Sequence, residues 1–236
     1  MASPFLKQYR RLSELRGMAS SLIPVDERAL HLEVRNHAIM GNSAQRLVPF
    51  EITVCGIGEL NSHATRGVSH VLSILDPRIA ERPSFAAFGV HRRLELCFDD
   101  ILDHLEGLVA PQRDHVDNIL RFASDLMADL PPDMHLLVHC HMGISRSSAA
   151  LALMLARIRP DLPAPQILNE VLRIRPHAWP NLRLIELGDA ALARQGELIE
   201  ALSAVYRLQL QRYPELQQYF IEGGRKREVE HAFRGL

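Results

Sequence analysis

The sequence predicts an α/β fold, with a mostly parallel central sheet flanked by helices. Two observations carry this. Along residues 48–195, strand-like segments alternate with segments of helical periodicity. The most apolar strand segment, His135-Leu-Leu-Val-His139, is the short unbroken run that buried parallel sheets use. A third observation sets the scale: 236 residues, 47% hydrophobic and 23% charged, suit one well-cored domain with extensions.

The elements follow in order. Residues 1–47 read as an N-terminal extension, where Phe5, Leu6, Tyr9, Leu12, Leu15 and Met18 recur at helical spacing around Lys7, Arg10, Arg11 and Arg16. Such a basic amphipathic helix can lie on a membrane, but a helix packed on its own domain, or a partly disordered segment, is the expected outcome. Phe50 to Gly56 alternates like a half-buried strand that Gly56 and Gly58 end, and a short helix is expected around Asn61 to Arg66. His70 to Leu75 is a second strand, stopped by Asp76-Pro77, and Arg93 to Phe98 a third, closed by Asp99 and Asp100. From Pro111 to about Leu130 a helix places Val116, Ile119, Leu120, Ala123 and Leu126 on one side, until Pro131-Pro132 end it. After the His135 strand, an apolar helix runs from Ser147 through Ala156. Pro160, Pro163 and Pro165 break the next connection, and helices are expected over about Gln166–Arg173 and Leu182–Tyr213. The last crosses from the domain, 48–195, into a C-terminal helical extension, 196–236. Its Leu187, Ala191, Leu198, Leu202 and Tyr206 are expected to pack on the domain.

A formal charge of −1 leaves no global reason to expect nucleic acid as a partner. The positive charge is almost all arginine, Lys7 and Lys226 being the only lysines. Cys55, Cys97 and Cys140 are odd in number and widely spaced, which argues against a disulfide framework and for a reducing compartment. No apolar run approaches the roughly 18 to 20 residues that span a bilayer. The N-terminal residues lack the apolar core of a secretory signal. A cytoplasmic enzyme is expected.

The chemistry is concentrated in Val138-His139-Cys140-His141-Met142-Gly143-Ile144-Ser145-Arg146-Ser147. A buried strand stops at a cysteine, a short loop follows, and a helix starts near an arginine. Inward backbone N–H groups of such a loop form an anion nest, and the helix N-terminus adds partial positive charge. With Arg146 they favour the thiolate of Cys140, which is the nucleophile. The planar arginine fork can bind two phosphoryl oxygens. Gly143 permits turns that a side chain forbids.

This His-Cys, five residues, Arg-Ser pattern resembles the signature of protein tyrosine phosphatases, and its Gly-x-Ser-Arg-Ser ending is most similar to the dual-specificity branch. The resemblance spans roughly residues 48–195. It implies a phosphatase-like P-loop, with His141, Met142, Gly143, Ile144, Ser145 and Arg146 binding the phosphoryl group. It also implies a phosphocysteine intermediate on Cys140, with Ser147 stabilising the departing thiolate and His139 bracing the loop. Asn181, in a Pro-Asn pair, is implied to border the pocket or to cap a helix. The implied general acid falls on Asp100, with Asp99 as the alternative and Asp103 as a third candidate. Asp100 lies farther before Cys140 than in compact relatives, so the loop over Leu102–Pro111 is expected to be enlarged.

His135, His139 and His141 flank Cys140, yet the rest of a tetrahedral metal site is not evident, and zinc would consume the thiolate. No metal or other cofactor is expected. Sulfurtransferase and arsenate-reductase chemistry fit the position and ending of the loop less well. A phosphate-binding module without catalysis is the alternative from another class. The expected partner is a phosphorylated protein carrying phosphotyrosine or dual-specificity sites, with a phosphoinositide, nucleotide or other small phosphate ester open. The absence of lysine from the loop weighs against the lipid.

Overall fold

The structure, a computed structural model, describes residues 46–128 and 133–234. The expected N-terminal amphipathic helix therefore lies outside the described residues, as do Leu130 and Pro131-Pro132. Four parallel strands, β1 (Glu51–Gly56), β2 (His70–Leu75), β3 (Arg92–Cys97) and β4 (His135–Cys140), form a sheet in the order β1-β4-β2-β3. The two inner strands, β2 and β4, are buried at every position, as their unbroken apolar character requires. At the edge, β3 leaves Arg92 and Arg93 exposed. Parallel register sets Gly56 beside Cys140 and Ser73 beside His139, so β1, β2 and β4 converge on the nucleophile candidate.

Among the described residues are seven α-helices: α1 (Arg113–Ala128), between β3 and β4, and after β4 α2 (Arg146–Ile158), α3 (Ala164–Ile174), α4 (Leu182–Ala191), α5 (Glu197–Arg212), α6 (Glu215–Glu222) and α7 (Lys226–Ala232). Every residue of α2 from Arg146 to Ala156 is buried, because this helix is apolar all round and lies inside the core. The short helix expected at Asn61–Arg66 forms earlier, as a 3₁₀ segment over Ile57–His63.

The single long helix expected over Leu182–Tyr213 is two helices. Ala193 and Gln195 take φ of 54° and 55°, and Gly196 takes 91°. The buried Asp189 explains the break. Its Oδ1 accepts the Gly196 N–H at 2.6 Å and its Oδ2 the Leu198 N–H at 2.9 Å, so α4 caps the start of α5. Helical periodicity on both sides of the break hid it. Leu198, Leu202, Tyr206, Phe220 and Val229 share one core with Leu72, Val138 and Leu151 of the sheet and α2. Trp179 stacks with Tyr206 at 4.4 Å and with Phe220 at 4.2 Å, joining the segment after α3 to α5 and α6.

Candidate active site

β4 ends at Cys140 and α2 begins at Arg146, leaving His141–Ser145 as a tight connection at the C-terminal end of a central strand. Gly143 takes φ of +67°, and a Cβ there would lie 2.4 Å from the Cys55 carbonyl carbon, so the loop is pressed against β1. Gly56 meets it from the other side, where a Cβ would stand 2.9 Å from the His141 oxygen. Only glycine permits this approach at both positions.

The loop carbonyls are held outward. Arg175 donates from Nε to the Gly143 oxygen at 3.0 Å and from Nη2 to the Met142 oxygen at 3.1 Å. It also pairs with Glu59, whose Oε2 accepts the Gly56 N–H at 2.6 Å. The Ile144 oxygen accepts the Trp179 N–H at 2.9 Å, and the Ser145 oxygen the Asn181 N–H at 3.3 Å. Among the described residues, the N–H groups of Met142, Gly143, Ile144 and Ser145 donate to no protein acceptor. Four successive free donors with their carbonyls engaged elsewhere are what an anion nest requires.

Cys140 is 2% exposed, and its Sγ lies 3.2 Å from the Ser147 Oγ. Ser147 stands in the first turn of α2, while Ser145 takes the N-cap position. Arg146 is 1% exposed, and its Nη1 donates at 2.6 Å to Asp76 Oδ1 and at 2.6 Å to the Phe98 oxygen. Its Nε has no protein acceptor among the described residues. Burial opposes the charge of Arg146, but Asp100, Asp76 and Cys140 outweigh it and hold the guanidinium protonated. Asp76 also faces His141, whose Nδ1 stands 2.9 Å from Oδ2. Burial raises the Asp76 pKa, yet the His141 hydrogen bond and Arg146 outweigh this and keep it below the ordinary carboxylate range.

The two adjacent aspartates diverge. Asp99 turns to its own loop, where Oδ1 accepts Arg78 Nη2 at 2.6 Å and Oδ2 accepts the Val109 N–H at 2.7 Å. With the Asp99 N–H donating to the Val109 oxygen at 2.7 Å, this closes the segment over 99–109 on itself. Asp100 turns to the loop between Cys140 and Arg146. Its Oδ1 accepts Ser145 Oγ at 2.8 Å and Asn181 Nδ2 at 2.9 Å, and its Oδ2 accepts Arg225 Nη1 at 3.3 Å. Burial raises the Asp100 pKa; Arg225 and then Arg146 reverse the effect and hold the carboxyl below its usual range. Asp103 is exposed and paired with Arg227 at 2.8 Å. Asn181 caps α4, its Oδ1 accepting the Leu184 N–H at 3.0 Å, while its Nδ2 donates to Asp100 Oδ1 at 2.9 Å.

His139 is fully buried beside Phe85, with ring centroids 5.7 Å apart. Burial pushes its pKa down to about 4, so it is neutral near pH 7. His135 spends its ring nitrogens on Thr53 Oγ1 at 2.8 Å and the Arg66 oxygen at 3.0 Å. Among the described residues, no group of three or more His, Cys, Asp or Glu side chains is placed to hold a metal. Burial, then Glu59, pushes the Cys55 thiol up to about 12, which leaves it unreactive near neutrality.

Sequence reasoning missed Asp76, Arg175, Glu59, Arg225 and Glu228. Asp76-Pro77 was visible only as a strand stop, and Gly223-Gly224 only marks a turn before Arg225.

No protein-family model and no curated protein matches the chain. Solved structures do. Tk-PTP in the active form is 22% identical, over 66% of this chain and 99% of that one, with a TM-score of 0.45. The human tyrosine phosphatase-like serine/threonine/tyrosine-interacting protein is 17% identical, over 64% and 99%, with a TM-score of 0.47. DUSP15 is 19% identical, over 66% and 95%, with a TM-score of 0.46.

Proposed function

We propose that the chain is a cysteine-dependent phosphatase that hydrolyses phosphate monoesters, phosphotyrosine or dual-specificity sites of proteins being the favoured substrates. One observation carries the reading. The Cys140 sulfur lies at the base of a loop with four unengaged N–H donors, next to a buried arginine and 3.2 Å from a hydroxyl.

In this reading the nest and Arg146 bind the phosphoryl oxygens while the Cys140 thiolate attacks phosphorus. The leaving oxygen takes a proton from Asp100, and water then cleaves the phosphocysteine with Ser147 stabilising the departing sulfur. Asp76 and the Phe98 carbonyl keep the guanidinium in place, so its orientation costs nothing when substrate arrives. A phosphate dianion entering the loop brings negative charge toward Asp100, which raises its pKa toward the protonated form that the first step needs.

Cys140→Ser tests the nucleophile. Turnover is expected to vanish while inorganic phosphate or vanadate still binds, because the N–H donors and Arg146 remain. Near-wild-type turnover in this variant removes the assignment. Since Arg146 and the nest already supply charge stabilisation, EDTA is expected to leave the rate unchanged, and chelator-sensitive activity overturns that. A second reading, a phosphate-binding module with little turnover, is favoured by the pairing of Asp100 with Arg225. Phosphate binding by a wild-type chain that hydrolyses no ester in a panel of phosphopeptides, phosphoinositides and nucleotides selects it.

A further inference from the structure

The turn between α6 and α7, where Gly224 takes φ of +77°, carries Arg225 into the site. The side chain is 8% exposed, and all three of its nitrogens are assigned. Nε and Nη2 donate to Glu228 Oε2 and Oε1, each at 2.7 Å. Nη2 also donates to Ser145 Oγ at 2.8 Å, and Nη1 reaches Asp100 Oδ2 at 3.3 Å. Ser145 Oγ in turn donates to Asp100 Oδ1, closing a ring of arginine, hydroxyl and carboxylate around the last loop residue. Glu228 is fully buried and anchors the far side, accepting Trp179 Nε1 at 2.6 Å, the Leu182 N–H at 3.0 Å and the Tyr206 hydroxyl at 3.2 Å.

We propose that Arg225 is a positioning residue of the reaction, holding the Asp100 carboxyl and the Ser145 hydroxyl beside the anion loop, so that the C-terminal helices complete the active site. The role rests on the phosphatase reading above. A planar fork is suited to it, because one guanidinium can be fixed by Glu228 and still present donors to two further groups. The groups facing Asp100 are Arg225 from the α6–α7 turn and Arg146 and Ser145 from the start of α2. Asn181 from the cap of α4 completes the set, with the Tyr206 hydroxyl of α5 and Glu228 of α7 farther out. Arg225 is the largest influence that lowers the Asp100 pKa, so its loss leaves burial less opposed and moves Asp100 titration to higher pH.

The experiment compares full-length wild type, Arg225→Lys and the double variant Arg225→Gln/Glu228→Gln, which removes both buried charges together and avoids stranding one. Cooperative urea unfolding and Trp179 emission report folding. Rates are measured across pH on phenyl phosphate, a poor leaving group, and p-nitrophenyl phosphate, a good one. In the folded double variant kcat/KM on phenyl phosphate is expected to fall about 10- to 100-fold, and on p-nitrophenyl phosphate much less. The high-pH decline on phenyl phosphate is expected to shift upward, and Arg225→Lys to recover part of the rate. Equal losses on both esters with an unmoved pH profile indicate support of the fold alone and overturn the proposal, as do wild-type rates throughout. Should the double variant not fold, the ester ratio of Arg225→Lys decides, a wild-type ratio overturning the role. If wild type hydrolyses neither ester, the phosphatase reading fails separately, and protection of Cys140 from iodoacetate by inorganic phosphate decides. Protection about tenfold weaker in the Arg225 variant retains a positioning role, and equal protection removes it.

Discussion

At the scale of single residues, Asp99 and Asp100 share a strand end and a side-chain chemistry but face different partners. Asp99 is spent on Arg78 and the Val109 N–H, whereas Asp100 touches the Cys140–Arg146 loop through Ser145. Asp100→Asn is therefore expected to slow phosphotyrosine or alkyl phosphate hydrolysis by about 10² to 10⁴, and esters with acidic leaving groups much less. Because Arg225 and Arg146 hold the free carboxyl below its usual range, its protonated fraction shrinks as pH rises. kcat/KM on poor leaving groups should decline from acid toward neutral pH, and Asp100→Asn should lose that decline in a pH–rate series. Asp99→Asn is expected to cost about 1–3 kcal/mol in urea unfolding with no leaving-group dependence. The opposite pattern in the two variants would exchange their roles.

At the scale of elements, two glycines with positive φ separate crowding from backbone strain. At Gly143 an added Cβ runs into the Cys55–Gly56 backbone at 2.4 to 2.7 Å, whereas at Gly196 it meets nothing within 4 Å. Gly196→Ala is expected to cost only the left-handed strain, about 1–2 kcal/mol, with kcat unchanged. Gly143→Ala adds displacement of β1 against the loop, so the loss should reach roughly 2–5 kcal/mol and phosphate binding should weaken. Urea midpoints and phosphate titration check both. Equal costs at the two positions would mean that the loop can withdraw from β1.

At the scale of the whole molecule, the core extends from the sheet into the last helices, and its charges titrate with it. Burial holds His139 near 4 in the folded chain, against about 6.5 unfolded. The unfolded state binds the extra proton between those values, so stability present at pH 7 is lost as pH falls from about 6.5 to about 4. Asp76 and Asp100, lowered below their usual range, add losses at still lower pH. Glu228, raised by burial, acts in the opposite direction. Comparing wild type with His139→Asn by urea unfolding at pH 7 and pH 4.5 cancels the carboxylates. Wild type should lose on the order of 2–3 kcal/mol more than the variant; equal losses would place His139 in contact with water. Ending the chain after Tyr213 removes Phe220 and Glu228 from Trp179, the one tryptophan. Its emission should shift to the red and cooperative unfolding should weaken. Wild-type emission and cooperativity would make α6 and α7 dispensable to the core.

Local chemistry made β2, β4, the α2 core helix and the Cys140–Arg146 connection legible in the sequence. Periodicity reports which face of an element is buried, and a strand, a short glycine-bearing loop and a helix are contiguous in the chain. Those features alone define the candidate nucleophile, anion nest and arginine. The partners of the charged side chains were not legible. Asp76 and Arg146 are 70 positions apart, and Asp100 and Arg225 are 125. Hydrophobic patterning reports neither that such groups are buried nor which opposite charge meets them. The α4–α5 break at Asp189 was hidden for the same reason, since a cap reaching from one helix to the next leaves both apolar stripes intact. The tertiary structure alone decided that Asp100 faces the loop, that Asp99 does not, and that the C-terminal helices reach the site. Each of these depends on where distant segments meet when the core closes.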